Sequence, residues 1–201
     1  MKKIISLFQR NYDGDRLIRN EATPGAEWVL AGKGIPTRKF DGTACMVKDG
    51  KLYKRCKVKR GGRPPANFEP ANEADETTGE QQGWVRVGNG LQDQWHREAF
   101  ARGLVRVGKC TIDDSGGEAL PDGTYELCGP KVQGNPEFIS IHCLIPHGCI
   151  KLDDAPRDFD GLKAYLAQHD IEGIVWWQDL KDPDCDKVKI KGKDFRLKRG
   201  R

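Results

Sequence analysis

Asp49-Gly50 divides two strand-like runs, TACMVK and KLYKRCKVK. Both residues of that dipeptide tolerate positive φ, so the segment is committed to a tight antiparallel hairpin. TYELCG, FISIHCL, IEGIVWW and KVKIK also read as strands, as does EWVL near the N-terminus. Two segments read as helices. LQDQWHREAFARG ends near Gly103, and DFDGLKAYLAQHD repeats Phe159, Leu162 and Leu166 at helical spacing behind Asp158 as N-cap. Short strands outnumber helices and the connections are hairpin-like, so the expected class is α+β with antiparallel sheets. Residues 61–83, GGRPPANFEPANEADETTGEQQG, lack hydrophobic periodicity and read as a long loop. There is no internal repeat and no dividing linker, and 201 residues can bury a sizeable core, so one domain over 1–201 is expected.

No apolar run approaches the roughly 20 residues that span a bilayer, and MKKIISLFQRNYDGD has too short an apolar stretch for a secretory signal. A soluble, cytoplasmic protein without a membrane partner is therefore expected. Seven cysteines, none in a CxxC pair, fit a reducing compartment. The net charge of +4 is modest, but its distribution is uneven: DKVKIKGKDFRLKRGR and KLYKRCKVKRGGR are basic, while EPANEADETTGE is acidic. Basic segments of this kind suit phosphate-bearing ligands, or else form a solvated face.

Four short segments carry residues suited to chemistry. In KFDG, extended backbone puts Lys39 and Asp41 on one face with Phe40 turned away. Gly42 leaves room for a ligand or another backbone to pass. In TYELCG, Tyr125 and Leu127 face the core and turn Glu126 to the other side, where a strand glutamate ordinarily meets solvent. In IEGIVWW, Glu172 heads an apolar strand, either as a cap at its wet end or as a metal or ligand contact. In KVKIK, Val188 and Ile190 bury one face, so Lys187, Lys189 and Lys191 share the other. Ammonium groups stacked this way repel unless they are solvated or bridged by an anion. The strand is thus a lysine-guarded edge or a phosphate clamp.

In this order, KxDG, a strand glutamate, EGIV and KxK resemble the covalent nucleotidyltransferases, which include ATP-dependent polynucleotide ligases and RNA-capping enzymes. More widely, KFDGT, GRPPANFEP, GWVRVG, GTYELCG, QGNPE, HCLIPHG and DFDGLKAYL…IEGIVWW are similar to the small ATP-dependent 5′-to-3′ RNA ligases related to the vertebrate RNA-repair ligase. The resemblance covers nearly all of the chain beyond about residue 35. It implies a nucleotidyltransferase (adenylation) domain with two antiparallel sheets flanking a nucleotide cleft. It also implies that Lys39 attacks the α-phosphorus of ATP and carries AMP to an RNA 5′-phosphate, which a 3′-hydroxyl then joins.

Further roles follow from the same likeness. Arg55 and Glu126 would hold the ribose, Lys189 and Lys191 the α-phosphate, and Glu172 a magnesium ion, for which manganese could substitute. Asp41 and Gly42 would line the nucleotide site. A lysine of ordinary pKa, about 10.4, is neutral at pH 7 in fewer than roughly one molecule in a thousand. Neighbouring cations would favour the neutral, nucleophilic amine. The implied partners are ATP and RNA with 5′-phosphate and 3′-hydroxyl ends, handled by a monomer in RNA repair. A DNA-nick ligase, a capping-type enzyme, or a binding protein that has lost catalysis are the alternatives.

No segment resembles the OB-type domain of DNA ligases and capping enzymes. The residues left to hold RNA are Lys57, Lys59, Arg60 and Arg63 of the 57–83 loop and Arg196, Lys198 and Arg199 of the 193–201 tail. They would act through phosphates, weakly and with strong salt dependence. His142, Cys143, His147 and Cys149 lie close in HCLIPHGC, but without the paired spacing of zinc ligands, and a structural strand-and-turn is the alternative. Trp176 and Trp177 alternate faces and read as core residues, with packing of one of them near a nucleotide as the alternative, and His96 reads as a surface or boundary residue of its helix.

Overall fold

The computed structural model describes residues 4–108, the backbone of 112–113, and residues 117–199. Its contacts group into two compact units: Asp41–His147, and Ile4–Phe40 together with the chain from Gly148 onward. Among the described residues no helix is long and apolar enough to cross a membrane.

The Asp41–His147 unit is built on a six-stranded antiparallel sheet, in the order Cys143–Pro146, Gly123–Cys128, Thr43–Lys48, Lys51–Val58, Gln81–Arg86, Glu69–Pro70. The hairpin turns at Asp49 (φ 51°) and Gly50 (φ 64°), as the dipeptide requires. Cys45, Val47, Leu52, Tyr125, Leu127 and Leu144 leave one face of the sheet to pack with Ala99 and Phe100 of the helix Gln94–Arg102. Each large aliphatic side chain buried there contributes about 1.5–3 kcal/mol. Gly103 ends that helix at φ 80°.

Two expectations in this unit need correction. FISIHCL is not a strand throughout: pairing begins only at Cys143 and runs to Pro146. Asn135 holds both the N–H and the C=O of Ile139 (3.0 and 3.1 Å), and Phe138 takes φ 53°, which removes residues 138–139 from extended geometry. The 61–83 loop is also shorter than its composition indicates, because Glu69–Pro70 and Gln81–Arg86 pair within it.

The second unit carries a four-stranded sheet in the order Ile5–Ser6, Lys187–Lys191, Gly173–Trp177, Ile35–Lys39. Ile5–Ser6 runs parallel to its neighbour and the other pairs are antiparallel, so this sheet is mixed rather than purely antiparallel. Ile174, Trp176, Val188 and Ile190 face Leu162, Tyr165 and Leu166 of the helix Phe159–Gln168. Asp158 caps that helix, its Oδ1 accepting from the Gly161 N–H at 2.8 Å. Trp177 is buried as well, on the opposite face, and donates to Thr37 Oγ1 at 3.1 Å.

EWVL is a short helix, Glu27–Leu30, and not a strand. Arg157 meets its C-terminal end: its guanidinium donates to the carbonyls of Val29 (3.1 Å), Gly34 (2.8 Å) and Lys33, the last two just beyond the helix.

Candidate active site

Register across the second sheet brings three of the sequence-identified residues to one face. Gly173 lies opposite both Lys39 and Lys191, and Val175 lies opposite both Thr37 and Lys189. The helix-covered face takes the intervening apolar residues, so the three lysines stand together on the other. Gly173 is required by strand packing, since a Cβ there would lie 2.1 Å from the Ile190 carbonyl oxygen.

Glu172, immediately before this row, is 8% exposed. Its Oε2 lies 2.5 Å from Lys39 Nζ and its Oε1 2.8 Å from Lys191 Nζ, so one carboxylate bridges two ammonium groups. Lys39 Nζ also donates to the Phe40 carbonyl at 3.3 Å. Burial pushes the Glu172 carboxyl up, but Lys39 and Lys191 outweigh it and hold the group below its ordinary range.

Lys189 is different. Burial, then Lys191 and Lys39, push its pKa down to about 8, against the opposing pull of Glu172 and Asp194. Among the described residues its ammonium makes no hydrogen bond or ion pair. Three ammonium groups around one bridging carboxylate form a centre that accepts an anion.

Lys187 does not join it. Its Nζ sits 4.3 Å from the Trp177 ring centroid and donates to the carbonyls of Pro183 (2.6 Å) and Cys185 (3.0 Å). The lysine-guarded edge reading fails too, because Lys187–Lys191 is an interior strand, paired on both sides.

The sequence reading missed Asp194, which looked like a minority charge in a basic tail. It is 6% exposed, its Oδ2 accepts the Lys191 N–H at 3.0 Å, and Arg10 ion-pairs with its other oxygen. It thereby fixes the backbone from which Lys191 projects. An acidic residue three positions beyond a lysine clamp was the only signal available.

The remaining candidates lie in the Asp41–His147 unit. Glu126 is buried, 7% exposed, and not solvated as a strand glutamate ordinarily is. Its Oε1 accepts the Gly42 N–H at 3.2 Å, and its Oε2 lies 2.8 Å from His147 Nε2. A carboxylate only accepts, so that histidine nitrogen carries the proton. Gly42 makes room for backbone: a Cβ would lie 2.2 Å from the Leu127 carbonyl oxygen. The Asp41 N–H donates to Glu137 Oε1 at 2.9 Å.

Arg55 lies 4.8 Å over the Trp84 ring and donates to Gln82, and burial draws its guanidinium below the ordinary pKa. Glu126 pairs with Ala44, Cys45 with Lys54, and Arg55 with Trp84. Glu126, Ala44, Arg55 and Trp84 therefore form one row on the face away from the helix. The small Ala44 side chain separates the carboxylate from the guanidinium.

The histidine and cysteine cluster divides into separate local roles. His142 stacks on Trp95 at 4.4 Å, sits 3.1 Å from Glu98, and accepts from the Lys131 N–H at 3.3 Å. Cys143 is buried and Cys149 exposed. Among the described residues no three His, Cys, Asp or Glu side chains are grouped to hold a metal. Glu172 fits a magnesium ion only as the single carboxylate for an ion that arrives on phosphates, since magnesium commonly takes one or two carboxylates and the substrate's oxygens.

Several residues proposed to hold RNA are already engaged. Lys57 pairs with Glu80 (3.0 Å), Arg60 donates to the Thr77 carbonyl (2.8 Å), and Arg199 pairs with Asp170 (3.1 Å). Lys59, Arg63, Arg196 and Lys198 are exposed, while Arg201 lies outside the described residues. His96 is partly buried, with neither ring nitrogen hydrogen-bonded.

Fold and site together define an α+β protein with a lysine–carboxylate–lysine centre suited to an anionic ligand. No protein-family model matches the chain. It is 29% identical over 117 residues to RNA ligase 1 of Danio rerio, a match covering 48% of this chain and 36% of that protein. It is 28% identical over 206 residues to RNA ligase 1 of Pongo abelii, covering 71% of this chain and 62% of that protein. The chain thus spans about a third and somewhat under two thirds of these relatives' lengths, and it resembles RNA ligases.

Proposed function

We propose that this chain is an ATP-dependent RNA ligase that works through a lysyl-AMP on Lys39, within a nucleotidyltransferase-type fold. The observation that carries the reading is the bridge Lys39–Glu172–Lys191 with Lys189 unpaired on the same sheet face. In the first step Lys39 Nζ gives a proton to solvent and attacks the α-phosphorus of ATP. A P–N bond forms and the bond to pyrophosphate breaks. An RNA 5′-phosphate oxygen then displaces the amine, which regains its proton, and AMP is held on the RNA end. Finally a 3′-hydroxyl attacks that 5′-phosphorus and releases its proton to solvent, a phosphodiester forms and AMP leaves.

Lys189 and Lys191 receive the charge that builds on the phosphate oxygens, a task in which preorganised cations need no reorganisation. Magnesium arriving with the triphosphate, or manganese in its place, would be held by Glu172 and would neutralise phosphate charge. With Glu172 engaged by such an ion, Lys39 would lie among cations, a setting that favours the neutral amine. Glu126 and Arg55 are assigned to the ribose, and Asp41 and Gly42, which follow Lys39 in the chain, to the lining of the nucleotide site. RNA with 5′-phosphate and 3′-hydroxyl ends is the proposed substrate, and RNA repair the proposed setting.

The test is incubation with α-labelled ATP or GTP and magnesium, followed by denaturing electrophoresis. Label from ATP on the wild type, lost in Lys39→Ala, is the expected result. Peptide mapping of the adduct to another lysine, or label from GTP alone, would overturn it.

A further inference from the structure

Phe138 is held in a conformation that its packing does not repay. It is 67% exposed and takes φ 53°, the only aromatic residue with positive φ among the described residues. L-residues enter that region at a steric cost, and a bulky side chain there needs an explanation. The ring joins no hydrophobic cluster, ring pair or cation–π contact among the described residues.

The backbone around it is nonetheless firmly set. Gln133, Gly134 and Asn135 also have positive φ, at 50°, 77° and 57°. The Phe138 N–H donates to the Asn135 carbonyl at 3.1 Å, and the Asn135 side chain clamps Ile139 on both sides. On the other flank, Glu137 holds the Asp41 N–H, two residues along the chain from Lys39. The ring is therefore displayed by a preorganised turn.

We propose that Phe138 is a stacking platform for an unpaired base of the RNA substrate, a base-binding subsite outside the nucleotide site. The identity of the ligand rests on the RNA-ligase reading. A single ring offers too little apolar area for a protein interface, which needs a patch of several hundred Å². It matches one base, and unpaired bases stack on exposed aromatic faces whatever their sequence. Lys131, Gln133 and Ser140 are exposed within seven residues of Phe138 in the chain, and would offer a cation and hydrogen-bonding groups to the adjoining backbone. A duplex, whose bases are already stacked, would not use the platform.

The test uses the full chain and a 5′-phosphorylated oligoribonucleotide with 2-aminopurine within three nucleotides of its 5′ end. Wild type and Phe138→Tyr should quench the probe. Phe138→Ala should lose the quench and bind the RNA about tenfold more weakly, with the rate of labelling by ATP unchanged. Equal quenching and affinity in Phe138→Ala would overturn the platform. So would a raised KM for ATP in that variant, because the ring would then belong to the nucleotide site. If the wild type takes no label from ATP while the Phe138-dependent quench persists, the ligase reading falls and the platform stands.

Discussion

Glu172 and Lys39 form an ion pair of 2.5 Å even though they lie 133 residues apart in the chain. The same carboxylate holds Lys191, so its removal unbalances two cations at once. Glu172→Ala and Lys191→Ala should each slow self-adenylylation by about two to three powers of ten, the usual cost of losing a preorganised contact to a reacting phosphate. Single-turnover labelling reads this directly, and a near-wild-type rate would return that residue to a purely structural role. Because the Glu172 carboxyl is held below its unfolded value, its stabilisation is present above about pH 4.5 and is lost as pH falls through the folded pKa. Urea denaturation of wild type and Glu172→Gln should therefore converge as the pH is lowered below 4.5.

Lys189 works against the fold. Its pKa drops from 10.5 to about 8, so at neutral pH the folded chain holds a charge that the unfolded chain carries more easily. Between about pH 8 and 10.5 the unfolded state binds the extra proton and wild-type stability rises with pH. Lys189→Met should be more stable than wild type by on the order of 1–3 kcal/mol at pH 7, with the gap closing toward pH 10.5. Denaturation midpoints across that range check the sign. The same variant should label poorly with ATP.

Asp194 is a positioning residue. Asp194→Ala frees the Lys191 N–H and should slow labelling about tenfold, the scale of one lost hydrogen bond to a charged group. Asp194→Asn, which can still accept from that N–H, should recover most of the rate. Equal defects in the two variants would shift the weight to the Arg10 ion pair.

Gly42→Ala tests whether this glycine serves the backbone or a ligand. The 2.2 Å approach of a Cβ to the Leu127 carbonyl predicts lost stability, on the order of 1–3 kcal/mol as for other overpacked sites. A thermal melt unchanged from wild type, paired with weaker ATP binding, would show that the space belongs to the ligand.

Local chemistry was legible wherever one residue type decides the outcome. Asp49-Gly50 set the hairpin, Asp158 and Gly103 marked helix ends, and alternation in KVKIK put Lys189 and Lys191 on one face. What escaped depends on distant partners. EWVL is a helix whose Val29 carbonyl meets the distant Arg157, and Glu126 is buried where Gly42 and His147 meet it. Lys187 shared the alternation of the clamp, yet the Trp177 ring and two carbonyls withdraw it. Asp194 was hidden by its neighbours' charge, since its role shows only once the chain turns back onto the Lys191 N–H.

The strand that bears Lys39 pairs with Gly173–Trp177, and through that strand with Lys187–Lys191, while residues 41–147 form a unit of their own between them. Loop closure of that length is slow, and a ribosome delivers the chain from its N-terminus. The intervening unit can therefore fold while its flanks are still unpaired. Lys39 is synthesised early but acquires its carboxylate and its companion lysines only after residue 191 has emerged. If the ligase proposal holds, a nascent chain would carry Lys39 long before it carries the rest of the centre, and reactivity toward a nucleotide would arrive in one late step of folding.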